Sequence, residues 1–267
     1  MPTRLLHVSD LHVGTAEDSA VSAAFLALVE RHRPELLIAS GDLTHRGRPD
    51  QHERAAELLR SFGTPVLAVP GNHDIPHTIP ARFFRTFDAF ERQWQTSQPV
   101  YRSDTLLVAG LNSVRPWRHQ SGGLSRAQLR RARETLATAA PSALRAVAMH
   151  HQLIGAPWRT RKRPVSRRDA VLAALVDAGA ELILSGHVHQ AAVSERREFE
   201  VVGTDQRAVV LATTAGLGQP RPRRRGEARG LNLCEVDDEA LAISTYVWQG
   251  ETWRLTAIRR FPRERRG

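Results

Sequence analysis

Short apolar runs separated by amphipathic stretches set the frame of this chain. Residues 4–9 (RLLHVS), 35–40 (ELLIAS) and 65–69 (PVLAV) have the length and composition of buried strands. Between the first two, residues 18–32 place Phe25, Leu28 and Val29 on one helical face behind Asp18, which stands as an N-cap. Residues 50–62 predict a second helix ahead of the third strand. Strands alternating with helices of this length argue for βαβ units and a mostly parallel sheet.

Farther along, residues 83–94 are aromatic-rich and predict a helix that caps one edge of the fold. Residues 100–111 predict two strands turning at Ser103-Asp104, and residues 125–139 a helix opened by a Ser125/Gln128 capping box. A strand over 143–149, a helix over 167–178 and a strand over 181–185 follow. The pattern then changes. Runs at 191–195, 206–213, 230–236, 240–248 and 252–259 read as antiparallel strands, expected to form a second sheet packed on the first. With no repeat and no linker, residues 1–267 are expected to form a single domain.

Composition narrows the picture modestly. Hydrophobic residues are 41% of 267, enough for a sizeable core, and no apolar stretch is long enough to cross a membrane. The first strand is expected to begin at residue 4, and no signal peptide is expected ahead of it. A lone cysteine, Cys234, excludes an internal disulfide and fits a reducing cytoplasm. The net charge of +10 invites a nucleic-acid partner. Yet Lys162 is the only lysine, and an arginine-, alanine- and leucine-rich chain reflects codon bias as readily as selection for a polyanion.

Chemistry gathers where the strands stop. Behind residues 65–69 comes Pro70-Gly71-Asn72-His73-Asp74. Other strands end in Asp10 and His12, in Gly41-Asp42, in His150-His151, and in Gly186-His187-Val188-His189. Every one of these donors is oxygen or nitrogen, and none is a thiolate. Strand ends of one sheet share an edge, so these side chains can meet in one crevice. Residues i and i+2 of an extended segment point the same way, which makes Asp10/His12 and His187/His189 candidate paired claws.

In order, these blocks resemble the calcineurin-like metallophosphoesterase superfamily, whose pattern is D-x-H, G-D, G-N-H-[D/E], H and G-H-x-H. Gly110-Leu111-Asn112-Ser113, Gly123-Leu124 and Gln128-Leu129 are similar to the class III cyclic nucleotide phosphodiesterase branch. Two positions depart from that branch: Asn112 stands where aspartate is usual, and Gln152 where proline is usual. The resemblance implies an α/β fold, a four-layer α/β/β/α sandwich of two packed mixed sheets flanked by helices. It also implies a cofactor of two metal ions, with Mn, Fe or Zn suited to mixed nitrogen and oxygen ligands. Asp10, His12, Asp42 and His189 would bind the first ion, and Asn72, His150, His187 and the shared Asp42 the second. A metal-bridging hydroxide would attack phosphorus in line. His73 would protonate the departing oxygen, with Asp74 orienting its ring.

Bland roles suit several neighbours: His7 in the core, His151 beside a ligand but pointing away, and His45 on the crevice rim. Asn112 is a strand-end residue without an assigned job. The leading function is a phosphodiesterase for cyclic nucleotides or small diesters. A nuclease would use the same ions with the arginine-rich stretches 159–168 and 221–229 along a nucleic-acid backbone, although no DNA-binding module or aromatic platform is evident. A phosphomonoesterase shares the metal chemistry, and the complete donor set argues against a non-catalytic scaffold. Loops near Trp117, Trp158 and Phe83 are where substrate selectivity is expected.

Overall fold

The computed structural model describes residues 2–15, 18–118, 120–154, 162–190, 192–199, 206–218 and 227–263. Strands β1 (Thr3–Val8), β2 (Leu36–Ala39) and β3 (Val66–Ala68) run parallel, joined by helices α1 (Ser19–His32) and α2 (Pro49–Ser61). Asp18 caps α1 as expected, accepting the Ala20 N–H. Next come α3 (Ala81–Phe84), α4 (Asp88–Trp94), β4 (Val100–Arg102) and β5 (Leu106–Leu111). Helix α5 (Arg126–Leu136) opens on the full Ser125/Gln128 capping box, followed by β6 (Leu144–Met149), α6 (Arg168–Asp177) and β7 (Leu182–Ser185). Strands β8 (Ala192–Phe199), β9 (Gln206–Thr213), β10 (Gly230–Val236), β11 (Ala240–Trp248) and β12 (Trp253–Pro262) complete the chain.

Two mixed six-stranded sheets result, ordered β12-β11-β10-β1-β2-β3 and β4-β5-β6-β7-β9-β8. Side-chain alternation explains how they stack. Leu5, Leu36 and Ile38 of the first sheet meet Leu106, Val108, Leu144, Ala146 and Ala148 of the second in a shared core between the sheets. Their neighbours Leu6, Val8, Leu37 and Ala39 point the other way, onto Phe25 and Val29 of α1 and Leu59 of α2. Leu107, Leu111, Val147 and Met149 likewise pack on Leu136 of α5 and Leu172 and Leu175 of α6. These are the four layers implied above. Burying each such leucine stabilises the fold by about 1.5–3 kcal/mol.

The later strands correct the expectation of a separate second sheet. Each sheet has three successive parallel strands, β1–β2–β3 and β5–β6–β7, and the later strands are divided between them. Antiparallel β10 joins the free side of β1, from Thr3↔Val236 to His7↔Asn232. Without it, the central strand of the first sheet would bury unpaired amides and carbonyls. Strand β9 inserts between β7 and β8, antiparallel to β8 as expected and parallel to β7. The aromatic segment is two short helices instead of one, with Phe83 and Phe84 exposed and Phe90 buried. Buried Arg82 anchors α3 by donating to the carbonyls of Pro116 and Pro76 at 2.7 and 3.1 Å. No helix among the described residues is long and apolar enough to cross a membrane.

Candidate metal centre

The polar residues that follow β1, β2, β3, β6 and β7 converge along one seam between the sheets. Their backbone is unusual. Asp10, His12, Asp42, His187 and His189 all have left-handed φ, between 51° and 70°. Non-glycine residues incur roughly 1–2 kcal/mol each in that region, so the loops must be held by other contacts. Asp10 N–H donates to the Gly41 carbonyl at 2.8 Å, and His12 N–H to the Asp42 carbonyl at 3.0 Å. Close packing finishes the seam: a Cβ on Gly71 would collide with the Asp42 amide and carboxylate, and one on Gly186 with Ser9 and Asp10.

The expected ligands fall into two groups that could hold a cation, Asp10/His12/His189 and Asp42/His150/His187, and a third such group, His12/His45/His73, lies at the rim. In the first, His189 Nε2 lies 3.1 Å from Asp10 Oδ1 and 3.3 Å from His12 Nε2. In the second, His150 Nε2 lies 3.1 Å from His187 Nδ1, 3.2 Å from Asn72 Oδ1 and 3.3 Å from Asp42 Oδ2. Asp42 Oδ2 is also 3.9 Å from His12 Nε2, so one carboxylate faces both groups. The paired claws are corrected in part. Asp10 and His12 share a group, whereas His187 and His189 are divided between the two.

Each carboxylate is held by one oxygen and presents the other. Asp10 Oδ2 accepts the His187 N–H at 2.9 Å, and Asp42 Oδ1 accepts the His73 N–H at 2.8 Å. Asp10 Oδ1 and Asp42 Oδ2 are buried, accept no well-formed hydrogen bond, and face only histidine nitrogens, at 3.1 and 3.3 Å. Buried carboxylates are costly without a positive charge beside them, and converging imidazole nitrogens at 3.1–3.3 Å cannot all hold protons. A cation at each focus resolves both problems, and the nitrogen and oxygen donors suit a first-row divalent ion.

Electrostatics prepares the same donors. Burial pushes His12 down to about 3, against the pull of Asp42 and Asp10. Burial also holds His187 and His151 well below the usual imidazole range. These rings are neutral at pH 7 and keep a lone pair to donate. For Asp10 and Asp42, burial alone favours protonation. The histidines facing them outweigh it, His189 for Asp10 and His150 above all for Asp42, and both carboxyls stay ionised.

His73 lies at the rim, its ring 4.9 Å from that of His12 and its Nδ1 2.8 Å from the His45 carbonyl. The expected orientation of this ring by Asp74 is corrected. The Asp74 carboxylate turns inward and accepts from the amides of Leu43, Thr44 and Gly71 and the Thr44 hydroxyl, at 2.8–3.1 Å. It staples the turn after β3 to the loop after β2, and the backbone carbonyl of His45 takes the orienting role.

His45 does rim the crevice, its ring 6.1 Å from His12. His7 is buried against Ser40 Oγ at 2.8 Å, and His151 against Ser113 Oγ at 2.8 Å with its ring beside His187. Asn112 is buried but bonds its own turn, accepting the Val114 N–H, and is not brought to the site. Gln152 is buried and Trp117 is exposed. Trp158, the arginines at 159 and 161, and residues 221–226 lie outside the described residues. Sequence reasoning missed Lys162, whose Nζ reaches 3.4 Å from His187 Nδ1. Its standing as the only lysine was the available signal. It also missed the Ser40 carbonyl, 2.9 Å from His150 Nδ1, which no side-chain pattern could reveal.

With this geometry in hand, known proteins supply the comparison. The family model for calcineurin-like phosphoesterases matches residues 3–191. A probable cyclic nucleotide phosphodiesterase of Rhodococcus erythropolis is 29% identical over 258 residues, 90% of this chain and 82% of that protein. Another from a Synechococcus strain is 28% identical over 209 residues, 73% and 77% of the two chains. Among solved structures, a dimetal phosphatase from Danio rerio superposes with a TM-score of 0.67 at 13% identity, covering 98% of this chain and 99% of that one, a likeness of fold. The chain belongs to the calcineurin-like phosphoesterase family and is a metal-dependent phosphoric ester hydrolase.

Proposed function

We propose that the chain is a dinuclear metal-dependent phosphodiesterase acting on cyclic nucleotides or small diesters, its single domain built around the seam. Asp42 carries the reading: its buried Oδ2 lies 3.3 Å from His150 and 3.9 Å from His12, joining two donor groups through one carboxylate. Asp10, His12, His189 and Asp42 would hold one ion, and Asn72, His150, His187 and Asp42 the other, with Mn, Fe or Zn suiting the set. Such ions, when bound, polarise phosphoryl oxygens and supply an acidified water as nucleophile.

The remaining work falls to this chain's own groups. His73 keeps Nδ1 on the His45 carbonyl, which leaves Nε2 to give a proton to the departing ester oxygen. Asp74 positions both neighbouring loops. A cavity of about 450 Å³ beside His12, lined by Leu11, Val13, Leu58, Leu217 and Arg54, has room for a small ester substituent. Relatives named cyclic nucleotide phosphodiesterases support that substrate class. Buried, free Cys234 suits a reducing cytoplasm.

The test is elemental analysis of purified protein, followed by turnover on cyclic nucleotides, bis(p-nitrophenyl) phosphate, p-nitrophenyl phosphate and single-stranded DNA. Two ions per chain and hydrolysis of the diesters ahead of the monoester are expected. Preference for the monoester, or for DNA over every small diester, would move the assignment to a phosphatase or a nuclease.

A further inference from the structure

A second cavity of about 450 Å³ opens beside His77, and arginine dominates its walls: Arg46, Arg48, Arg85 and Arg92. Its one lining carboxylate, Asp88, is already taken by Arg85 at 2.9 Å. Arg48 pairs with Asp50 at 3.0 Å. Arg46 and Arg92 form no ion pair among the described residues. Codon bias scatters arginine over a surface; it does not gather four around one concavity whose sole carboxylate is already paired.

The cavity adjoins the candidate centre. The His77 ring is 5.7 Å from that of His73. Arg46 directly follows His45, whose carbonyl holds His73 Nδ1. The two loops involved are fixed to each other. Gly47, at a φ of 62°, packs so closely on Ile75 that a Cβ would collide with its carbonyl, and Thr44 Oγ1 accepts the Gly47 N–H at 3.1 Å. Guanidinium groups bind phosphate oxygens through paired, charge-assisted hydrogen bonds, and a concave wall concentrates their field. A diester whose departing alcohol is uncharged makes no use of such a wall.

We propose that this cavity binds a second phosphate of the substrate, carried by the alcohol that departs past His73. The inference rests on the phosphodiesterase reading and narrows it to linear nucleotide diesters with a terminal phosphate. In the reaction, water oxygen bonds to phosphorus and the P–O bond to the alcohol breaks. His73 supplies the proton that the alcohol retains, giving one phosphomonoester and one phosphorylated alcohol.

Thymidylyl-thymidine with no terminal phosphate, with a 5′-phosphate and with a 3′-phosphate tests this on the metal-loaded enzyme. One phosphorylated form should show kcat/KM about tenfold higher than the bare dinucleotide, chiefly through KM, as expected for one charge-assisted hydrogen bond. An Arg46→Gln/Arg92→Gln variant should erase that advantage while hydrolysing bis(p-nitrophenyl) phosphate like the parent. Equal kcat/KM for all three dinucleotides, or an advantage that survives the variant, overturns the cavity's role and leaves the phosphodiesterase reading intact. If no diester is turned over, the broader reading fails. Calorimetric titration of the phosphorylated dinucleotides into parent and variant then decides the cavity alone, and equal affinities overturn it.

Discussion

His150, which follows β6 of the second sheet, places Nδ1 2.9 Å from the carbonyl oxygen of Ser40, which follows β2 of the first. That contact turns Nε2 toward Asp42 Oδ2 at 3.3 Å. Burial alone would lower this imidazole. The Asp42 carboxylate outweighs it, with Asp10 and the Ser40 carbonyl adding to the pull, and raises His150 to about 9 when no cation is bound.

Loading a cation must therefore displace a proton. Apparent metal affinity should rise about tenfold per pH unit through neutral pH and flatten above about 9. Calorimetry at pH 7.5 in two buffers of different ionisation enthalpy should detect close to one proton released on His150. No release would remove His150 from the donor set. In metal-free protein the folded state binds this proton more tightly than the unfolded chain does. Its stability contribution is full below pH 6.5 and is lost as pH rises toward 9.

Asp42→Ala should lose both ions, because its Oδ2 faces both donor groups. Elemental analysis of the folded variant checks this, and full occupancy would refute the bridging role.

His73→Ala should keep its metal and lose turnover by about 10²–10⁴-fold. His73 contributes its backbone N–H to Asp42 whatever its side chain, so the carboxylate stays in place. Parent-like turnover would take His73 out of the mechanism.

Asp74→Ala should act on stability before chemistry. It orphans the amides of Leu43, Thr44 and Gly71 in a buried turn. At about 1 kcal/mol or more for each buried donor, the loss is at least about 3 kcal/mol, or about 6–12 °C in Tm. A variant that melts with the parent but has lost turnover would restore Asp74 to a direct role beside His73.

How far the sequence carries follows from what side chains record. The apolar runs that became β1, β2 and β6 were legible because burial on both faces selects against polar residues, and their polar ends stood out against them. Their division between two sheets was not, since Leu5 and Leu6 are equally apolar while facing opposite layers. Strand β10 shows the same limit: GLNLCEV fits beside β1 or in a sheet of its own, and unpaired β1 backbone decides it. Asp74 was misread because its partners are amides, which leave no trace in residue identity. The separation of His187 from His189 follows from the family pattern and not from their i, i+2 spacing, which predicts a shared direction.

The seam has a mechanical consequence. Asp10, His12, Asp42 and Asn72 extend from the first sheet, while His150, His187 and His189 extend from the second. Any ion held there is a rivet through two halves of a sandwich, so releasing it and parting the sheets become one coupled event. Chelation should loosen the whole molecule, and amide exchange should quicken first in β2 and β6, the strands that the rivet joins.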